Sequence, residues 1–212
     1  MKKGLKALKD KGLLKLPSKR LAILLLGIIA AGESLGCLSK QPAPEHELIQ
    51  VCFSPGGQCT QFVEQAIAAA QRSILVQAYS FTSQTIAEAL IAAHERGITV
   101  KILVDRSQLT ARGSKVKLMV EKGIPLSIDV VPGIAHNKVM IIDNAYVLTG
   151  SFNWTHAAEY RNAENLLFIR DENTSKVYRD QWEERAEQAQ VITLIDIENA
   201  IKQEKASAQD DE

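Results

Sequence analysis

Residues 136–143 read HNKVMIID, and residues 150–153 follow closely with GSFN. The apolar run between Lys138 and Asp143 is typical of a buried strand. Because side chains alternate along a strand, we expect His136 and Lys138 to point to the same face. An imidazole and an ammonium group on rigid backbone predict a phosphate-binding site, in which histidine can act as nucleophile or as general acid and base.

The GSFN segment adds uncharged hydrogen-bond donors to this predicted site. Gly150 lets the backbone turn closely, while the Ser151 hydroxyl and the Asn153 amide can donate to phosphate oxygens. The pattern H-x-K-x4-D followed by G-S-x-N therefore indicates a phosphodiester-cleaving site. This set of residues requires no metal ion and no cofactor.

With these motifs the chain resembles the phospholipase D superfamily, the HKD phosphodiesterases. It is most similar to small bacterial members that carry one motif per chain, such as periplasmic non-specific endonucleases. The likeness extends from about Val51 to Trp182 and includes segments 53–55, 73–76, 79–82, 136–143, 150–155 and 162–165. The resemblance implies an α/β fold, with a mixed β-sheet flanked by helices, and a covalent phosphohistidine intermediate.

The resemblance also implies a role for each site residue. His136 would be the nucleophile or its acid partner, and Lys138 and Asn153 would hold phosphate oxygens, with Ser151 lining the pocket. Glu164 would hydrogen-bond the imidazole and fix its tautomer. The expected catalytic set is thus His136, Lys138, Asp143 and Glu164, although for Asp143 we prefer a structural role, as a hydrogen-bonding carboxylate at the end of the strand.

The number of motifs bears on the oligomeric state. The implied mechanism needs one histidine to attack phosphorus and another to protonate the leaving oxygen. The remaining histidines, His46, His94 and His156, belong to no second H-x-K-x4-D motif. We therefore predict a C2 homodimer with a shared active site, in which the two His136 side chains face each other across the axis. Of the other three, only His156 is close enough in sequence to border the pocket.

The first 36 residues predict export rather than a folded domain. Eight Lys and Arg side chains lie within residues 1–20, and an apolar run follows at 21–31. This run is shorter than the roughly 20 residues that a spanning helix needs, so we favour a signal peptide, with an uncleaved membrane anchor as the alternative. Residues 34–37, SLGC, resemble a lipoprotein cleavage box, except that serine stands where leucine is usual. We expect a periplasmic or secreted protein, or one tethered to the membrane.

Cysteine usage is compatible with export. Cys52 and Cys59 flank a turn-forming segment, and a disulfide between them would be permitted in an oxidising compartment. The alternative is a pair of buried thiols. No further Cys or His completes a tetrahedral zinc site with them.

The remaining sequence predicts one catalytic domain of alternating strands and helices. A linker at 37–47 precedes the domain, which we place at 48–189, and an acidic helix or tail follows at 190–212. Strands are predicted near 48–53, 73–79, 98–104, 126–130, 138–142, 146–149 and 165–170. Helices are predicted near 58–71, 84–96 and 114–122, and again at the end of the chain.

Charge leaves the substrate open. The formal net charge is zero, with 25 basic and 25 acidic side chains, but the leader holds eight of the basic ones. The rest of the chain is therefore acidic, which weakens any claim of tight, sequence-independent binding to DNA, since such binding neutralises many phosphates. Basic residues at Arg106, Arg112, Lys115, Lys117 and Lys122 could border the site or form an ordinary solvated face. We expect a metal-independent endonuclease acting on DNA or RNA, with phospholipase D and a non-catalytic phosphate-binding module as alternatives.

Overall fold

A computed structural model describes residues 48–210, and one mixed sheet of eight strands organises them. The strand order is β1-β7-β6-β5-β2-β3-β4-β8. The strands are β1 Ile49–Ser54, β2 Ser73–Ala78, β3 Thr99–Val104, β4 Leu126–Ile128, β5 Lys138–Ile142, β6 Tyr146–Gly150, β7 Glu164–Arg170 and β8 Gln190–Val191. The helices are α1 Cys59–Ala69, α2 Gln84–Glu95, α3 Val116–Glu121, α4 His156–Tyr160, α5 Glu172–Glu187 and α6 Leu194–Asp210, with a 3-10 turn at Arg106–Leu109.

Strand β5 lies near the middle of the sheet and carries the buried part of the motif. It pairs antiparallel with both β2 and β6, and all five of its residues are buried. Met140 and Ile142 belong to the larger core, whereas Val139 and Ile141 pack on the opposite face around Trp182 of α5. Apolar residues on both faces of a strand require cover on both sides of the sheet, which the helices supply.

The predicted fold class and the order of the long elements are confirmed. Three short elements were not predicted: the 3-10 turn, the five-residue helix α4 and the two-residue strand β8. Each is too short to show a helical or strand period in the sequence. Within residues 48–210, no helix is long and apolar enough to cross a membrane.

The end of the described chain packs onto the sheet. Strand β8 pairs antiparallel with β4, and Ile197 of α6 is buried in the larger core. The segment that we expected to be an acidic helix or tail after residue 189 therefore contributes a strand and a core residue to the domain. The predicted leader at 1–36, its lipoprotein box, the linker at 37–47 and His46 lie outside the described residues.

A disulfide joins the end of β1 to the start of α1. Cys52 and Cys59 form this bond, with their Cα atoms 5.7 Å apart. Of the two arrangements considered for these cysteines, the structure has the disulfide. Cys59 is fully buried in the larger core, so the bond fixes the first helix against the edge strand.

Asp143 closes the far end of β5. Its carboxylate accepts hydrogen bonds from the backbone N–H groups of Gln71, Arg72 and Ser73 at 2.8, 2.7 and 3.0 Å. Asp143 and Asn144 both have positive φ, at 57° and 56°, a backbone conformation that Asp and Asn tolerate better than most residues. Asp143 thus ties the β5–β6 turn to the start of β2, which is the structural role that we preferred for it.

Replacing Asp143 by alanine should destabilise the fold, because three backbone N–H groups lose their acceptor. We expect Asp143→Ala to lower the free energy of unfolding by about 3 kcal/mol, measured by urea denaturation. Glu184→Ala removes an exposed carboxylate on α5 and should change it by less than about 0.5 kcal/mol. A loss of less than about 1 kcal/mol in Asp143→Ala would contradict the anchoring role.

Candidate active site

Six residues from the two motifs and from β7 line one cleft, at the end of the sheet where β5 and β7 begin and β6 ends. The cleft has a volume of about 440 Å³, and its lining residues are His136, Lys138, Gly150, Ser151, Asn153 and Glu164. The structure therefore brings together every predicted site residue except Asp143. Asp143 follows the last residue of β5, whereas Lys138 is the first, so the two lie roughly 16 Å apart along the strand. Its inclusion in the catalytic set is not supported.

His136 lies in the loop before β5 rather than on the strand itself. Strand pairing begins at Lys138, where the register sets it opposite Ala78 of β2. The expectation that His136 and Lys138 share a strand face is therefore wrong in detail, although both side chains reach the cleft. The His136 side chain is exposed, whereas Lys138 is only 5% exposed.

Three charged side chains hold the loop that carries His136. The buried carboxylate of Asp105 accepts a hydrogen bond from the N–H of Ala135 at 2.7 Å. Arg106 donates to the carbonyl of Val131, and Arg185 donates to Asp129 and to the neighbouring carbonyl of Val130. Burial alone would raise the pKa of Asp105, but hydrogen bonds from Ser107 and Ala135 outweigh it and lower the pKa. Hydrogen bonds to residues 129–131 and 135 therefore fix the loop just before His136.

Tyr79, which follows β2, touches both members of the His-Lys pair. Its ring centroid lies 4.4 Å from that of the His136 imidazole, and the Lys138 Nζ lies 4.8 Å from the tyrosine centroid. The Lys138 Nζ also donates to the backbone carbonyl of His136 at 2.7 Å. Nothing in the sequence predicts a role for Tyr79, because only the β2–β5 register brings it beside the motif.

The GSFN segment alternates between core and cleft. Phe152 and Trp154 are fully buried. The residues that alternate with them, Ser151 and Asn153, face the cleft. Trp154 Nε1 donates to the carbonyl of Gln77 at 3.1 Å, which fixes the segment to β2. No described residue donates to the buried Oδ1 atom of Asn153. The two aromatic side chains thus anchor a segment whose polar side chains are presented to a ligand.

Gly150 is required by its contact with β7. Its φ is +150°, and a Cβ atom there would lie 2.3 Å from the carbonyl oxygen of Asn165. The Ser151 hydroxyl accepts a hydrogen bond from the N–H of Asn165 at 3.0 Å. Without a side chain at position 150, β6 and β7 approach closely enough to set Ser151 and Glu164 in the same cleft.

Glu164 acts on the site through its charge. Its Oε1 accepts a hydrogen bond from Asn162 at 2.9 Å, and no hydrogen bond joins it to His136 among the described residues. The expected bond to the imidazole is thus not present. Burial lowers the pKa of Lys138, and the nearby Glu164 carboxylate partly offsets this effect. Glu164 therefore favours the charged ammonium.

The other histidines lie outside the cleft. His156 stacks on Tyr160 of α4, with ring centroids 4.4 Å apart, and does not line the cleft. His94 lies in the last turn of α2, where an imidazole suits the helix dipole. Within residues 48–210, no group of three or more His, Cys, Asp or Glu side chains is arranged to hold a metal ion.

Comparison with known proteins identifies the family. The profile of the family described as "Cardiolipin synthase, PLD-like domain" matches residues 63–186, more than half of the chain. The chain belongs to the phospholipase D superfamily. The superfamily resemblance noted from the motifs is thereby confirmed.

Several relatives share this phospholipase D-like domain. A phospholipase D of Rickettsia typhi is 47% identical over 134 residues, which cover 63% of this chain and 66% of that protein. The human mitochondrial cardiolipin hydrolase is 30% identical over 69% of this chain and 60% of its own length. The matched part of this chain thus covers 60–66% of the length of these two relatives.

Solved structures show the same fold. Nuc from Salmonella typhimurium, a phospholipase D family member, is 40% identical with a TM-score of 0.65, over 68% of this chain and 97% of that one. NucT from Helicobacter pylori is 26% identical with a TM-score of 0.62, over 68% and 98%. The phospholipase D-like domain of this chain therefore corresponds to nearly the whole of these two structures.

Removing the Glu164 charge should change the pH dependence of phosphodiester hydrolysis. The phosphate contact predicted for Lys138 requires the charged ammonium, so activity should fall as pH rises through the lysine pKa. Because Glu164 raises that pKa, we expect Glu164→Gln to move the alkaline limb of kcat/KM to lower pH. The measurement is hydrolysis of bis(p-nitrophenyl) phosphate across the alkaline range. Glu183→Gln, an exposed change on α5, is the control, and an unmoved limb in Glu164→Gln would contradict the coupling.

Proposed function

We propose that the protein cleaves nucleic acid through a covalent phosphohistidine on His136. The imidazole attacks phosphorus, and the bond from phosphorus to the leaving oxygen breaks as a second histidine supplies a proton to that oxygen. Water then attacks the phosphohistidine and returns its proton to the second histidine, which releases a phosphomonoester and free His136. Lys138 and the Asn153 amide hold the other phosphate oxygens, and the Ser151 hydroxyl lines the same cleft.

Nucleic acid is favoured as the substrate by a basic segment near the cleft, residues 106–115, which contains Arg106, Arg112 and Lys115. Arg106 and Arg112 are exposed in the segment that follows β3, and the end of β3 lies level with Lys138 across β2. The backbone N–H of Lys115 donates to the carbonyl of Phe81, which in turn pairs with Trp154, the neighbour of Asn153. A polymer of phosphodiesters extends beyond the scissile bond, so it can contact these cations while its phosphate occupies the cleft.

A phospholipid is the second candidate substrate. It is favoured by the names of the relatives, which include the phospholipase D of Rickettsia typhi and the mitochondrial cardiolipin hydrolase. An exposed aromatic side chain, Tyr160, also lies on α4, directly after the GSFN segment. Lipid head groups contain the same phosphodiester, and an amphipathic tyrosine suits a membrane surface.

We also propose that two copies of the chain form the complete site. The cleft contains one histidine, whereas the proposed mechanism uses two. Apolar side chains are exposed beside it: Val130 and Ile134, in the loop before His136, are 46% and 60% exposed, and Val177 of α5 is 67% exposed. Val177 lines a hollow of about 280 Å³ together with Asn137 and Val139. An isologous interface here would cover this apolar surface and bring the two His136 side chains together.

Export is proposed as well, to the periplasm or the outside of the cell, with membrane association through the N-terminus as the alternative. It is supported by the basic and apolar leader and by the Cys52–Cys59 disulfide, which persists in an oxidising compartment.

The substrate assignment predicts DNA cleavage that resists EDTA and needs His136. We expect plasmid DNA to be nicked while phosphatidylcholine vesicles stay intact, and His136→Ala to lose at least about a thousandfold in rate. Arg112→Gln/Lys115→Gln should weaken DNA binding and reduce its salt dependence, without changing hydrolysis of bis(p-nitrophenyl) phosphate. Lys202→Gln/Lys205→Gln, the same charge change on α6, is the control. Choline release with intact DNA would make the protein a phospholipase D.

The shared site predicts that one inactive subunit inactivates a dimer. When wild-type protein and a tagged His136→Ala variant are co-expressed, the purified heterodimer should lose at least about tenfold of the wild-type activity, because one of two required histidines is missing. A tagged wild-type dimer should keep full activity. Light scattering that finds a fully active monomer would contradict the proposed assembly.

A further inference from the structure

The backbone and ring of Tyr79 meet the motif at three consecutive residues. Its N–H donates to the carbonyl of Asn137 at 3.1 Å, continuing the β2–β5 pairing by one residue. Its ring contacts the imidazole of His136 on one side of Asn137 and the ammonium of Lys138 on the other. Among residues 48–210, no side chain or backbone group hydrogen-bonds its hydroxyl. The aromatic face, rather than the hydroxyl, therefore makes the contacts with the site.

We propose that Tyr79 is a positioning residue whose ring orients the His136 imidazole and keeps the Lys138 ammonium charged within the cleft. This inference rests on the proposed roles of His136 and Lys138. It assigns a specific side chain, outside both motifs, to the maintenance of the two groups on which those roles depend.

The chemistry of the cleft explains why an aromatic ring suits this position. Lys138 is almost fully buried, and burial disfavours its charged form. A second carboxylate beside it would stabilise the ammonium but would also repel an incoming phosphate. The face of a tyrosine ring attracts the cation through its quadrupole without adding a net negative charge. The ring therefore stabilises the ammonium and leaves it able to bind an anion.

The contacts of the Tyr79 ring with His136 and with Lys138 also restrain each other. The Lys138 Nζ donates to the His136 carbonyl at 2.7 Å, so the lysine side chain folds back towards the loop that carries the nucleophile. The ring fills the space beside this arrangement and packs against the tilted imidazole, at an interplanar angle of 56°. Loss of the ring would leave the exposed His136 side chain free to adopt other rotamers.

The test compares Tyr79→Phe with Tyr79→Leu. Phenylalanine keeps the π face, so we expect kcat within about twofold of wild type and an unchanged pKa of Lys138. Leucine removes the face. We therefore expect kcat for bis(p-nitrophenyl) phosphate to fall about tenfold or more, and the pKa of Lys138 to fall by about one unit. The lysine pKa is measured by NMR titration of its labelled Cε, and the alkaline limb of the rate profile should move to lower pH with it.

The titratable groups that line the cleft with Lys138 are His136 and Glu164, and both stay in place in these variants. A loss in Tyr79→Phe equal to that in Tyr79→Leu would overturn the proposal, because the hydroxyl would then be responsible. A uniform loss in Tyr79→Leu at every pH, with the Lys138 pKa unchanged, would overturn it as well. Thermal unfolding checks that the variants fold, and Tyr79→Met serves as a second variant without a ring.

Failure of the proposed catalytic role has a different signature. Cleavage that survives in His136→Ala would contradict the phosphohistidine mechanism. The Lys138 pKa in wild type and in Tyr79→Leu is measured without substrate, so it tests the contribution of the ring whatever the reaction proves to be.

Discussion

The site depends on the pairing of β5 with β2. This pairing sets Lys138 opposite Ala78 at one end of β5 and Ile142 opposite Ile74 at the other. The Asp143 carboxylate secures the second end by accepting three backbone N–H groups from residues 71–73. Because side chains alternate along a strand, a slip of one residue would turn Lys138 away from the cleft and expose the apolar core. The framework carboxylate and the site lysine are therefore parts of one constraint on register.

Around that strand, the site combines an exposed nucleophile with a buried cation. His136 is exposed, yet hydrogen bonds with Asp105, Arg106 and Arg185 hold its loop in place. Lys138 is buried, and burial lowers its pKa, an effect that the Glu164 carboxylate of β7 partly offsets. Hydrogen bonds to the loop thus fix the position of the histidine, whereas a neighbouring carboxylate helps to keep the lysine charged.

The sequence predicts the long elements and most of the cleft, but not the contacts between distant segments. The run between Lys138 and Asp143 marks β5 by its apolar composition, and Gly150, Ser151 and Asn153 follow as a motif. Tyr79 carries no such signal, because it approaches the motif only through strand pairing. The position of His136 before the strand and the hydrogen bond of Glu164 to Asn162 depend on local backbone geometry, which composition and period do not encode.

The number of residues between Lys138 and Asp143 is fixed by the length of β5. These residues cover the distance along β5 from the cleft, where Lys138 lies, to the turn beside the start of β2, where Asp143 lies. The spacing within the motif therefore fixes the distance between the site lysine and the anchoring carboxylate. Insertion or deletion of a single residue inside it would separate the two ends or invert the faces of the strand. The loop before His136 is outside this limit, because hydrogen bonds with Asp105, Arg106 and Arg185, rather than the length of a strand, set its position.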